Sequence, residues 1–175
     1  MAQSPTPEPG LTLQRAMRIR ATPVRVLAAF FEPRDLEAWW EVSRSVTLAR
    51  PLGPYAVQWP PTDFEDEVLG KLGGTLHGTV MDVRAGTAFF VADLYYQPPL
   101  GPPLGPMALE VQTRSIEGGR STELVVRQSA DDDGDRWRRY FMVMGHGWDR
   151  ALEALREHLE WSGVRPIRAG TRETD

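Results

Sequence analysis

Apolar residues recur along this chain with two different periods, and the switch between them separates a sheet-forming body from one long terminal helix. From Leu11, the residues Leu11, Leu13, Met17 and Ile19 occupy alternate positions broken only at Arg15, which is the period of a half-buried strand. Thr22-Pro23 then offers an N-cap followed by proline at the first helical position, with Val24, Leu27, Ala28 and Phe31 at helical spacing behind it. Pro33 ends that short helix and opens a second, Pro33–Trp40, whose apolar side is Leu36, Trp39 and Trp40. Residues 42–130 alternate at period two between Gly and Pro breaks, which predicts strands near 45–50, 54–59, 74–84, 87–97, 107–117 and 120–130. Arg84-Ala85-Gly86 and Glu117-Gly118-Gly119 have hairpin length, so the strands they join are expected to be antiparallel. Which face of the strand at 87–97 lies inside does not follow from this alternation.

The period then changes to that of a helix. Trp137, Phe141, Met144, Trp148, Leu152, Leu155 and Leu159 fall at steps of three and four, the stripe of a helix more than twenty residues long. Arg138, Arg139, Asp149, Arg150, Glu153, Arg156, Glu157 and Glu160 form its wet side. Gly145 and Gly147 interrupt the stripe and predict a kink or a close contact, since glycine in a helix costs about 1 kcal/mol relative to alanine. The acidic run Asp131 to Asp135 lacks the alternating spacing and distal glutamate of a calcium loop, and reads as a helix start whose carboxylates favour the positive end of the dipole.

Strand, two short helices, a meander and a long last helix make an α+β helix-grip fold: a curved antiparallel sheet of about seven strands gripped by the C-terminal helix. At this point the chain resembles the START/SRPBCC superfamily, in the branch similar to the C-terminal domain of the activator of the heat-shock chaperone ATPase. The residues that carry the resemblance are Ala21-Thr22-Pro23 with Val26, Asp35-Leu36, Trp39-Trp40 and Gly53-Pro54-Tyr55. Further along they are Gly78-Thr79-Val80 with Val83, the run Ser121 to Val126, and Gly147-Trp148 with Leu152 and Leu155. The resemblance implies a START-like cavity between sheet and helix and, through the co-chaperone relatives, a link to stress response. It leaves the contents of the cavity open, because the superfamily includes lipid carriers, metabolite binders, cyclases and co-chaperone domains. The chain departs from the branch pattern at residues 63–71 and at the doubled PPLG of residues 97–106, expected to be a stiff excursion at the sheet rim.

Length and composition narrow the possibilities. The 175 residues suit one domain, expected over 11–162, with a proline-rich disordered leader at 1–10 and a flexible tail at 163–175. A net charge of -4 argues against nucleic acid as a partner, since that affinity comes from lysine and arginine on phosphates. Cysteine is absent, so thiolate chemistry and cysteine-based zinc sites are excluded. The first ten residues do not read as a signal peptide, and no stretch approaches the roughly 18 apolar residues of a membrane span, so the expectation is a soluble, cytoplasmic protein.

The candidate chemistry is aromatic. Six tryptophans are many for this length, and Trp40, Trp59 and Trp148, with Met144, His77 and Tyr95, are the candidate ligand-binding residues. His77, Asp93 and Tyr95 are the acid or base candidates should the cavity belong to a cyclase- or hydrolase-type enzyme. His77, His146 and His158 show no metal-ligand spacing, and the glycines at 70, 73 and 74 open no phosphate-binding helix, so neither a metal nor a cofactor is expected. The leading expectation is a module that binds a small hydrophobic or aromatic molecule. A protein-interaction domain like the co-chaperone relatives, with a protein partner, and an enzyme using the same cavity are the alternatives. Treatment with EDTA should change neither the melting temperature nor ligand binding; a loss restored by one divalent ion would contradict this reading.

Overall fold

The computed structural model describes residues 10–162, so the expected leader, Gly10 apart, and the expected tail from 163 lie outside the described residues. β1 (Leu11–Ile19) leads into α1 (Pro23–Ala28) and α2 (Pro33–Trp40), followed by β2 (Arg44–Thr47) and β3 (Pro54–Trp59). A small hairpin of β4 (Glu65–Asp66) and β5 (Gly70–Lys71) precedes β6 (Gly74–Arg84), β7 (Ala88–Gln97), β8 (Leu104–Ile116) and β9 (Ser121–Ala130), and α3 (Asp135–Ser162) closes the fold. The seven longer strands form one antiparallel sheet in the order β1-β9-β8-β7-β6-β3-β2, so the first strand returns to pair with the last. This is the helix-grip arrangement: α3 lies against β1 and α2, and the core fills the space between helix and sheet. No described helix is long and apolar enough to cross a membrane.

Local chemistry accounts for the element ends. Thr22 Oγ1 accepts from the Arg25 N–H at 3.3 Å, and Pro23 and Pro33 each stand in a first helical turn, where a missing N–H costs nothing. Asp132 Oδ1 accepts from the Gly134 N–H at 2.9 Å and Asp135 lies in the first turn of α3, as an acidic helix start requires. α3 then runs unbroken for 28 residues, so the glycines at 145 and 147 do not interrupt it. At Gly145 an added Cβ would stand 3.1 Å from Arg15 Nη2 and 3.6 Å from Leu13 Cδ1, so side chains of β1 lie directly against the helix at this glycine. The Arg15 guanidinium continues along the helix to pair with Asp149, which explains the one polar break in the alternation of β1.

Two carboxylates fasten the helix to the rest of the chain. Asp35 is paired through both oxygens with Arg25, at 2.7 Å each, and one of them also meets His158 Nε2 at 2.7 Å. Burial pushes its acidity toward the neutral form, but hydrogen bonds from Arg25 and His158 outweigh that and hold its pKa below the ordinary value. Asp66 belongs to the hairpin that the alternation did not predict. Its Oδ1 accepts from the Val68 and Leu69 N–H groups at 3.0 Å each, while Oδ2 takes Arg139 of α3, with Nε at 2.8 Å. The hairpin is thus a short turn closed on its own aspartate and bolted to the helix, with Leu69 buried behind it.

The hydrogen bonds from Arg139, helped by those from the backbone, lower the Asp66 pKa to about 2. A folded-state pKa below the unfolded value of about 3.9 stabilises the protein above pH 4 and loses that contribution as pH falls through the folded value. Asp66→Asn should therefore lower the urea midpoint at pH 7, and the difference from wild type should shrink steadily between about pH 4 and pH 2. A difference that stays constant over that range would show that the carboxylate charge is not what holds the hairpin.

Candidate functional site

Between the sheet and α3 lies a cavity of about 360 Å³, within the range of roughly 300–1,000 Å³ common for small-molecule sites. Its exposed lining residues, Ala38, Glu41, Thr62, Gly147 and Arg150, form the mouth. The deeper wall is aromatic. Trp39 and Trp40 from the end of α2 stack at 4.9 Å with 7° between their planes, and Trp40 also meets Trp59 at 5.1 Å and Trp148 at 4.9 Å. The helix ends directly after this pair, at Glu41, whose backbone turns left-handed at φ 56°.

Three of the four indole N–H groups of this wall donate to acceptors within the protein. Trp39 Nε1 donates to Ala29 O at 2.9 Å and Trp59 Nε1 to Trp40 O at 2.7 Å. Trp148 Nε1 donates to Gln128 Oε1 at 3.0 Å, and the Gln128 amide nitrogen in turn donates to Tyr140 Oη at 3.1 Å and Met107 Sδ at 3.2 Å. Gln128 is 2 % exposed and reaches the cavity from the inner face of β9, between Val126 and Ala130. Tyr96 Oη closes the side toward the loop by donating to Gly73 O at 2.8 Å. Tyr96 and Tyr140 are both buried, which raises their pKa values and keeps both phenols neutral.

The candidates divide between the two faces of the sheet. Trp40, Trp59, Met144 and Trp148 line the cavity, together with Tyr96, Gln128 and Tyr140, which the ligand-binding set did not include. His77 and Tyr95 do not: they face outward, stacked on each other at 5.9 Å and 16° across β6 and β7. The reason is a bulge in β7. Phe89 and Val91 point inward, the register shifts after Val91, and Asp93 takes a left-handed φ of 48°, so Leu94 and Tyr96 point inward next and Tyr95 points out. Tyr95 is then laid over Gly105 of β8, where a Cβ would stand 2.2 Å from its ring. Asp93 is exposed, so the three acid or base candidates all lie away from the cavity. The titratable groups of its lining are Glu41, Tyr96, Tyr140 and Arg150.

The amide of Gln128 is the polar joint of this wall. Gln128→Leu should destabilise the fold by about 1–3 kcal/mol, because it strands the Trp148 N–H in an apolar site. In a cycle with Trp148→Phe, the doubly substituted protein should lose less than the sum of the single losses, by about 0.5–3 kcal/mol in urea titrations. Strict additivity would mean that the two side chains do not depend on each other.

No protein-family model and no curated protein matches the sequence. Solved structures do. The chain is similar to a protein from Arthrobacter aurescens, with TM-score 0.68 at 16% identity over 95% of this chain and 94% of that one. A protein from Mesorhizobium loti gives 0.66 at 17% identity over 88% of this chain and all of that one. One from Rhodobacter sphaeroides gives 0.64 at 20% identity over 88% and 96%. Likeness at this level of identity shows a shared fold, a sheet with a long C-terminal helix, and nothing of function.

Proposed function

We propose that the chain is a binding module which holds a small hydrophobic or aromatic molecule in the cavity between its sheet and α3. The observation that carries this reading is the cavity itself, of about 360 Å³ and walled by Trp39, Trp40, Trp59 and Trp148. Flat apolar ligands gain both area burial and ring stacking against such a wall. The Trp39, Trp59 and Trp148 indoles already satisfy their N–H groups, so an apolar ligand leaves none of these three orphaned. The START/SRPBCC resemblance of the sequence agrees with this use of the fold, and a cytoplasmic setting fits a chain without cysteine.

Gly147 gives the clearest test. It borders the mouth, and an added Cβ there meets nothing within 4 Å. Gly147→Leu should therefore raise stability by about 0.5–1 kcal/mol through helix propensity while narrowing the mouth. The affinity of an anilinonaphthalene sulfonate, read by fluorescence, should fall about fivefold or more, on the order of 1 kcal/mol. Opposite signs in the two measurements separate loss of the site from loss of the fold. Mass spectrometry of small molecules retained by the purified wild type identifies the natural occupant. A wild type that binds no apolar probe would move the reading to a protein-interaction domain.

A further inference from the structure

The cavity floor holds a hydrogen-bond donor that nothing around it uses. An indole N–H can only donate, so the Gln128 amide atom facing Trp148 Nε1 at 3.0 Å must be the oxygen. The amide nitrogen is thereby turned toward Tyr140 Oη, at 3.1 Å, and Met107 Sδ. A phenol oxygen that accepts from Gln128 keeps its own proton to give, and no described residue accepts it. The neighbouring Tyr96 hydroxyl is spent on Gly73 O. Tyr140 is 1% exposed and lines the cavity, so this proton belongs to the site and not to bulk water.

Resting on the binding reading above and extending it, the geometry points to a flat ligand with a neutral carbonyl group, whose oxygen accepts the Tyr140 hydroxyl proton while its rings lie against Trp40 and Trp148. A carbonyl needs only a donor, and a donor is what the floor offers. An ionised carboxylate at that depth would need a cation beside it, and the arginine of the lining, Arg150, stands exposed at the mouth. A pure hydrocarbon would fill the same space and leave the Tyr140 proton without an acceptor in a dry site, which is the source of the discrimination.

Acetylnaphthalene and ethylnaphthalene, substituted at the same ring position, differ in little but the oxygen. Equilibrium dialysis of both against wild type and Tyr140→Phe gives the ratio of their dissociation constants in each protein. The preference for the ketone, relative to the hydrocarbon, should fall about three- to tenfold in Tyr140→Phe. The infrared carbonyl stretch of acetylnaphthalene bound to wild type should lie below its position in an alkane solvent, as hydrogen bonding requires. If both probes bind wild type but the ratio is the same in the two proteins, or the stretch keeps its alkane position, the carbonyl assignment is overturned while the binding reading stands. If neither probe binds wild type, both fall. Should Tyr140→Phe not fold, the infrared band of the wild-type complex decides alone.

Discussion

The hydrogen bond from Trp148 to Gln128 joins the long helix to the sheet at the level of the cavity, where apolar packing between them gives way to space. Above and below it α3 is anchored by bulk: Trp137 and Phe141 toward its start, Leu152, Leu155 and Leu159 toward its end. In between, a helix over a curved sheet faces a choice between collapse and a cavity, and a directional polar contact at 3.0 Å holds the indole at a set distance where an aliphatic contact would let it slide. The direction of that bond then decides the rest of the network. Because tryptophan cannot accept, the amide has only one orientation, Tyr140 becomes an acceptor, and its own proton is left without an acceptor among the described residues. A single donor-only side chain thus sets the polarity of the floor.

The outer side of α3 is held by charges, and their worth differs with their surroundings. Arg15 with Asp149 and Arg20 with Glu160 are exposed ion pairs of the kind that contributes from zero to about 1 kcal/mol. Asp66 and Asp35 are different, because their carboxylates are enclosed and each is satisfied by several donors. Losing a partner there would leave a buried charge uncompensated, which costs far more than the pair contributes when intact. These two sites fasten the hairpin to the start of α3 and α2 to its end, on either side of the cavity. Of the elements that carry the tryptophan wall, α2 is thus tied directly to the helix it faces.

The strands and the helix stripe were legible because burial writes itself into the sequence as a period. β3 and β6 lie where alternation places them, and the stripe from Trp137 to Leu159 is buried save for the partly covered Met144. The site was legible only in part, and the Tyr95 error has a definite cause. Alternation carried across β7 from Phe89 and Val91 would send Tyr95 inward; the bulge at Asp93 adds a residue and reverses the faces, so Tyr96 is inside and Tyr95 meets His77 outside. A left-handed aspartate in a strand leaves no mark that distinguishes it from any other exposed polar residue. Gln128 was missed for a related reason. A polar residue in a strand reads as outward, and its burial is explained only by Trp148 and Tyr140, partners on another element that no local pattern connects to it.

Gly145 and Gly147 show how one local signal can have two unrelated physical origins. Both lower the intrinsic helicity of α3 by about 1 kcal/mol relative to alanine, and the sequence presents them as a pair. At Gly145 the space is partly taken: a Cβ would stand 3.1 Å from the Arg15 guanidinium and 3.6 Å from Leu13 of β1, so a side chain there would need Arg15 to give way by a few tenths of an ångström. At Gly147 no atom stands within 4 Å of where a side chain would begin, so packing gives no reason for the residue to be bare. The position borders the cavity, whose exposed lining also includes Glu41 and Arg150. Helix propensity alone would favour another residue at this position. Gly147 thus borders a tryptophan-walled space which, on the binding reading proposed above, a ligand with rings and one acceptor oxygen would complete.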